Sequence, residues 1–268
     1  MSHQIDPDKS IVSIKRFLST RLSQSGLTGF VVGLSGGLDS AVSAALAVEA
    51  VGREKVFGVL MPYRTSSESS IHDATVHAHQ LGIEFQTVDI SPMIDAYFGQ
   101  IDETARLRAG NKMARERMSI LFDIAHKMNR LVLGTGNRTE ICLGYTTWYG
   151  DSACSVNPIG ELYKSDVRKI ARTLRVPPAI IAKHPTADLW VGQTDEGEIG
   201  MTYERIDQLL TLIIDRGITS QSDIEQAGFK RAEIDRVVSL VNRNAFKRRL
   251  ADVAPLGRGG IPEHVTLH

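Results

Sequence analysis

The stretch Phe30–Val42, FVVGLSGGLDSAV, decides the fold. It opens as an apolar run, breaks at Ser35-Gly36-Gly37, passes through Leu38-Asp39-Ser40 and resumes as an alanine-rich segment. A β run that enters a glycine turn and then a helix leaves several backbone N–H groups free at a helix N-terminus. Those amides and the helix dipole together favour an anion such as phosphate. Gly36 and Gly37 let the backbone approach a ligand with no Cβ in the way, and Ser35 and Ser40 add hydroxyl donors. The common pattern G-x-x-x-x-G-K-[ST] is absent, so the loop has no lysine of its own to neutralise a phosphate. Asp39 is instead an acceptor placed among acceptors. A Mg²⁺ ion bridging Asp39 to a polyphosphate satisfies that arrangement. The plainer reading of the same residues is a tight turn with Ser35 or Asp39 as an N-cap.

Outward from this loop, β-rich runs alternate with amphipathic helices. Phe30–Leu34, Val56–Met61, Glu84–Ile90 and Arg130–Thr135 read as strands, and the first, second and fourth are apolar enough to be buried on both faces. Helices are predicted at Ser40–Val51, Glu68–Leu81 and Thr104–Lys127. In the last, Met118, Leu121, Phe122 and Ala125 form one stripe. This order implies an α/β fold with a parallel, doubly wound sheet and right-handed crossovers. After Gly160 the pattern becomes helical. Its stripes are Val167/Ile170/Ala171/Leu174, Ile206/Leu209/Leu210/Ile213 and Ile234/Val237/Val238/Val241. With no internal repeat and no low-complexity linker, residues 1–268 read as one domain with a helical C-terminal part. The run Lys183–Met201, KHPTADLWVGQTDEGEIGM, has no period and reads as a lid, a binding loop or a plain surface loop.

Composition narrows the function classes. Lys+Arg and Asp+Glu are 31 each, giving zero net charge, where a dedicated nucleic-acid binder shows a basic excess. No apolar run approaches the ~18 residues of a membrane span. No signal peptide is visible at the N-terminus. A soluble, cytoplasmic protein with no nucleic-acid or membrane partner is expected. The two cysteines, Cys142 and Cys154, lack CxxC spacing and read as small buried hydrophobes. His77 and His79 read as helix-surface residues.

The segment SGGLDS resembles the pyrophosphatase-type loop of the ATP-pyrophosphatase (adenine nucleotide α-hydrolase-like) superfamily. Those enzymes split ATP between the α and β phosphates and transfer AMP to a substrate oxygen. The superfamily includes NAD, GMP and asparagine synthetases and tRNA-modifying enzymes, and the loop alone does not choose among them. Further motifs occur in order: LMPYRTSS (60–67), GNKMARERM (110–118), LVLGTGNRTEICLGY (131–145), YGD (149–151), NPIGELYKSDV (157–167), HPTADLWVGQTDEGEIGMTYERID (184–207) and NAFKRRL (244–250). Together they closely resemble ammonia-dependent NAD⁺ synthetases, from about Ile11 to Leu250. The resemblance implies a Rossmann-like sheet of the adenine nucleotide α-hydrolase type. It also implies a ligase that amidates deamido-NAD⁺ with ammonia through an acyl-adenylate, releasing AMP and pyrophosphate, and a homodimer.

The resemblance carries roles to particular residues. Gly33, Leu34, Ser35, Gly36, Gly37, Leu38, Asp39 and Ser40 would hold the ATP phosphates, with Arg64, Thr135, Lys164 and Thr186 completing the ATP site. Asp39 and Glu140 would ligate Mg²⁺, and Lys164 would replace the missing loop lysine. Asn111, Arg115 and Lys247 match positions that hold the pyridine dinucleotide. Asp151, by its charge and neighbourhood rather than by the resemblance, would bind or deprotonate ammonium. Asp39, Lys164 and Asp151 are thus the expected catalytic groups. Each also has a plainer reading: Lys164 as a solvated lysine, Arg115 and Arg117 as exposed charges on the long helix, and Glu140 as a partner of Arg138 or Arg106. Three positions depart from the commoner family pattern. Trp148 stands where many relatives have lysine, Ser155 where they have aspartate, and Phe246 where they have histidine. All three fall on the dinucleotide side. Two rival readings stay open. One is another adenylating enzyme of the superfamily, and the other is an ATP-sensing module that has kept the loop without the chemistry.

Overall fold

In a computed structural model, residues 5–99, 101, 103–186 and 194–254 are described. Strands β1 (Phe30–Gly33), β2 (Val56–Leu60), β3 (Glu84–Thr87) and β4 (Leu131–Leu133) form one parallel sheet in the order β3-β2-β1-β4. Alternation along each strand feeds two cores. Phe30, Val32, Val56, Leu60 and Leu133 enter one, and Val31, Val59 and Val132 enter the other. Helices cover both faces, as a parallel sheet requires. On the first face lie α1 (Pro7–Ser25), α2 (Leu38–Val51) and α3 (Glu68–Leu81). On the second lie α4 (Ser91–Phe98) and α5 (Arg106–Lys127). The doubly wound parallel α/β fold is therefore as expected.

The remaining helices are α6 (Arg138–Leu143), α7 (Lys164–Thr173), α8 (Pro178–Ala182), α9 (Asp195–Ile199), α10 (Tyr203–Leu210), α11 (Gln221–Gln226) and α12 (Arg231–Arg243). Helix α7 joins the first sheet core through Val167, Ile170 and Ala171. The apolar faces of α10 to α12 close a separate core around Tyr203, Ile206, Leu209, Phe229 and Val237. All three C-terminal stripes thus bury as the period predicts.

The differences from expectation are local. Every strand is shorter than its predicted run: Leu34, Met61, Gly134 and Thr135 leave the sheet to line a cavity, while Val88–Ile90 leads into α4. β3 is an edge strand with largely exposed side chains. Helix α2 begins at Leu38 rather than Ser40, which puts Asp39 in its first turn. The predicted α5 stripe is rotated. Ala109, Met113, Ile124 and Ala125 are buried and Phe122 is 39% exposed, while Met118 and Leu121 line a cavity. His77 is no surface residue. It is buried between α3 and α2 with Nε2 3.0 Å from the Ala41 carbonyl, its Nδ1 has no protein partner, and burial pushes its pKa down. His79 is exposed as expected. Part of the Lys183–Met201 run is helical (α9), and Asp195 N donates to the Pro185 carbonyl at 3.1 Å. The lid expectation falls on 187–193, outside the described residues.

Candidate functional site

The strand order reverses between β1 and β4, so the loops that follow these two strands diverge and leave a crevice at their C-terminal ends. A cavity of about 540 Å³ opens there. The loop after β1 supplies Gly33, Leu34, Ser35, Gly37, Leu38, Asp39 and Ser40 to its wall. The loop after β4 supplies Thr135, and α6 supplies Glu140. The Ser35 and Ser40 hydroxyls lie 3.1 Å apart, and the Gly37 amide donates to Ser35 Oγ at 3.2 Å. Gly36 does not line the cavity. It has φ +74°, and a Cβ there would sit 2.1 Å from the Ser70 carbonyl, so this glycine seats the loop on α3.

Helix α6 is started by a capping box. The Asn137 side chain accepts from Glu140 N at 3.0 Å, and the Glu140 carboxylate accepts from Asn137 N at 3.2 Å. The same Asn137 donates through Nδ2 to Asp39 Oδ1 at 3.1 Å, joining the two loops. Lys164, the first residue of α7, brings its ammonium between the two acids. It is ion-paired with Asp39 and reaches Glu140 Oε1 at 3.4 Å, with the Tyr203 ring centroid 5.1 Å away. Its backbone is fixed by Thr139, whose hydroxyl accepts from Lys164 N at 3.0 Å and donates to Asp207. Lys164 is only 3% exposed, which excludes the solvated-lysine reading. Glu140 does not pair with Arg138, which goes to Asp215 under the Tyr163 ring.

Burial pushes the Glu140 carboxyl up to about 8, against the pull of Lys164. Burial also opposes the Lys164 charge, but Asp39 and Glu140 outweigh it and hold the ammonium protonated well above its ordinary value. Asp195, the first residue of α9, is a third acid on the cavity wall. Its carboxylate accepts from Tyr203 Oη at 3.1 Å and Tyr145 Oη at 3.3 Å, and burial raises its pKa.

At the other end of the cavity, the turn 146–151 is tied by Asp151, which accepts from Thr146 Oγ1 at 2.6 Å and Thr147 N at 2.7 Å. Asn111 accepts from Thr147 Oγ1 at 2.8 Å, and Lys247 Nζ donates to the Gly144 and Thr146 carbonyls, both at 2.8 Å. Asp151, Asn111, Lys247 and Thr186 all line the cavity, whereas Arg115 and Arg64 do not. Arg115 donates from Nε to the Trp148 carbonyl at 3.3 Å, just outside the turn. Arg64 is held by Asp95 and by Tyr63 Oη. The unexpected residues Trp148 and Phe246 touch edge to face, with centroids 5.2 Å apart, and Tyr149 stacks on Trp148. Ser155 Oγ accepts from Val132 N at 3.1 Å, serving the edge of β4. Cys142 is buried and Cys154 half-buried, and burial raises both thiols, which suits neither to nucleophilic work.

Sequence reasoning missed Asp195, Lys183, Arg117 and Arg168, all on the cavity wall. Asp195 and Lys183 flank a stretch without period, so no repeat marked them. Arg117 had been set with Arg115 as a helix-surface charge.

Fold and cavity together define an α/β nucleotide-binding protein of the doubly wound class, with its site at the sheet's switch point. Comparison with known proteins narrows this. The NAD synthase family profile matches residues 10–251. The NH(3)-dependent NAD(+) synthetase of Fusobacterium nucleatum is 45% identical over 242 residues, covering 90% of this chain and 93% of that protein. The enzyme of the same name from Trichlorobacter lovleyi is 46% identical over 238 residues, covering 89% and 87%. Among solved structures, NMN synthetase from Francisella tularensis superposes with TM-score 0.82 at 33% identity, covering 94% of this chain and 99% of that one. The NH3-dependent NAD synthetase from Campylobacter jejuni superposes with TM-score 0.79 at 31% identity, covering 94% and 100%. The chain belongs to the NAD synthase family.

Proposed function

We propose that this protein converts deamido-NAD⁺ to NAD⁺, using ATP and ammonia and releasing AMP and pyrophosphate. The observation that carries the reading is the Asp39–Lys164–Glu140 cluster at the foot of a lysine-free phosphate loop, inside a cavity long enough to reach the 146–151 turn. The nicotinate carboxylate is a poor electrophile. Its oxygen attacks the α-phosphorus of ATP, the bond to the β-phosphate oxygen breaks, and pyrophosphate leaves. Ammonia then adds to the acyl carbon of the adenylate, and AMP departs with the C–O bond electrons. Neither step needs a protein nucleophile, so positioning and charge supply the catalysis.

In this reading the loop Gly33–Ser40 seats the ATP phosphates, with Thr135 and Thr186 as further hydroxyl contacts. Lys164 is the fixed cation near the developing charge. Asn111 and Lys247 hold the acceptor nucleotide, and Arg115, off the cavity wall, supports the turn beside it through the Trp148 carbonyl. Asp151 takes the proton that ammonium must lose, and Arg64 is an outer contact at most. The two carboxylates Asp39 and Glu140 suit Mg²⁺, which is usually held by one or two carboxylates plus substrate phosphates. Among the described residues no cluster of three or more His, Cys, Asp or Glu is arranged to cage a metal. Asp39 and Glu140 would hold the ion, which would neutralise the phosphate charge that Lys164 alone does not balance.

The finer readings follow the same line. Residues 1–268 act as one catalytic unit in the cytoplasm. Among the described residues no helix is long and apolar enough to cross a membrane. The unit is a homodimer, supported by the exposed apolar side chains Met93, Tyr97, Leu107 and Phe122 on α4 and α5. The test is product analysis with ATP, Mg²⁺ and ammonium, and with deamido-NAD⁺ or nicotinic acid mononucleotide as acceptor. NAD⁺ and AMP are expected in equal amounts from the dinucleotide. ADP as product, or faster turnover of the mononucleotide, overturns the reading.

A further inference from the structure

Lys183 closes α8 and lines the cavity beside the phosphate loop, with no role in anything above. Its ammonium donates to Ser70 Oγ at 3.0 Å and Asp73 Oδ2 at 3.0 Å, both on α3. A third contact runs to the carbonyl of Gly36, in the phosphate loop itself, at 3.5 Å. A lysine has three N–H donors. Two are fixed at ordinary hydrogen-bond length, and the third is spent on the longest and weakest contact of the set, beside the amides offered to phosphate. The position is not accidental, because α3 is the same wall on which Gly36 is seated. The Lys183 side chain is only 22% exposed and that of Asp73 only 16%, so the pair is partly desolvated and its charge is poorly screened.

Lys164, the cation expected to serve the phosphates, is already committed to Asp39 and Glu140. The outer phosphates of a bound triphosphate would carry most of its charge, and the loop supplies only neutral amides and hydroxyls. We propose that Lys183 is a second phosphate-binding cation. It exchanges its long Gly36 contact for an oxygen of the triphosphate, and of the pyrophosphate that leaves, while Ser70 and Asp73 keep it in place. This rests on the ATP-dependent reading above, but it concerns only nucleotide binding.

The test is equilibrium binding of MgATP and of Mg-pyrophosphate to the full chain, by calorimetry, in wild type, Lys183→Met, Lys183→Arg and the double variant Lys183→Met/Asp73→Asn. Loss of one charge-assisted hydrogen bond is expected to weaken both ligands about tenfold or more in Lys183→Met. Lys183→Arg should recover most of the loss, and AMP binding should be unchanged in every variant. The double variant decides the matter. If Lys183 contacts phosphate it stays weak. If Lys183 merely screens Asp73, removing both charges restores binding and the proposal fails. Unchanged ATP affinity in a folded Lys183→Met protein also overturns it. Because binding is read without turnover, the wrong acceptor in the amidation reading would leave this result intact.

Discussion

The two ends of the cavity are built by opposite means. At the phosphate end the charged groups are buried and already engaged with one another: Lys164 with Asp39 and Glu140, Asn137 with both loops, Asp195 with two tyrosines. At the acceptor end a short turn is held by hydroxyls, carbonyls and Asp151, and Tyr149 within it and Phe246 beside it are 43% and 46% exposed. The first end is preorganised, so little must move when charge develops there. The second presents the aromatic surface of Trp148, Tyr149 and Phe246. On the proposed function, the scaffold fixes the groups that would handle ATP, while recognition of the acceptor would fall to the less constrained side chains of the second end.

The contrast breaks first, and hardest, at Lys164. Replacing it by methionine strands Asp39 and Glu140 without their cation, and losing one member of a buried pair costs about 3–5 kcal/mol. Lys164→Met is expected to lower Tm by many degrees and to abolish AMP formation; a stable, active variant would mean the pair is incidental. Asp39→Asn is milder for folding, since asparagine can still accept from Asn137. AMP formation should nevertheless drop about 100-fold or more, as for a group that stabilises transition-state charge. Rapid turnover in that variant would remove the metal-holding role.

At the acceptor end the expected effect is smaller and of another kind. Asp151→Asn keeps an oxygen for Thr147 N but loses the charge. It should raise KM for ammonium about tenfold with KM for ATP unchanged. A parallel rise in both would mean that Asp151 only shapes the turn.

The smallest effect lies outside both ends and serves as their control. Arg205 on α10 grips Glu233 on α12 through two bonds of 2.5 and 2.7 Å. The Arg205 hydrogen bond holds the Glu233 carboxyl down, at about 2 against an ordinary 4.5. A carboxyl with a lowered folded value stabilises the fold above its ordinary value, and that contribution is lost as pH falls from 4.5 toward 2. The pair is half-buried at the surface and still screened by solvent, so Glu233→Gln should cost about 1 kcal/mol at pH 7. The Tm difference from wild type should vanish near pH 2, with activity at pH 7 untouched. A difference that persists in acid would contradict the assignment.

What could be read in the sequence was what repeats or what is punctuated. Strand–glycine–helix at 30–42, the β-α alternation and the C-terminal stripes are local patterns, and each survives in the structure because the chain's period sets its buried face. Phe122 misled because a stripe shows which residues share a face, not whether that face meets the sheet or a cavity. Met118 and Leu121 are apolar for the cavity's sake. His77 looked like a surface residue because a lone histidine has no period, and its burial follows from the packing of α3 on α2. The site divides in the same way. Asp39 was conspicuous in its loop, whereas its pairing with Lys164 spans 125 residues and exists only once both core layers have closed. Asp195 and Lys183 sit in or beside a run whose only signal was a lack of pattern.

Asp195 N bonds to the Pro185 carbonyl, Lys183 is tied to α3, and the Asp195 side chain is tied to Tyr145 and Tyr203. Lys183 and Asp195 are therefore each anchored on the cavity wall by partners of their own. Groups that share no partner respond separately to substitution, so the energetic effects of changes at these two anchors should add.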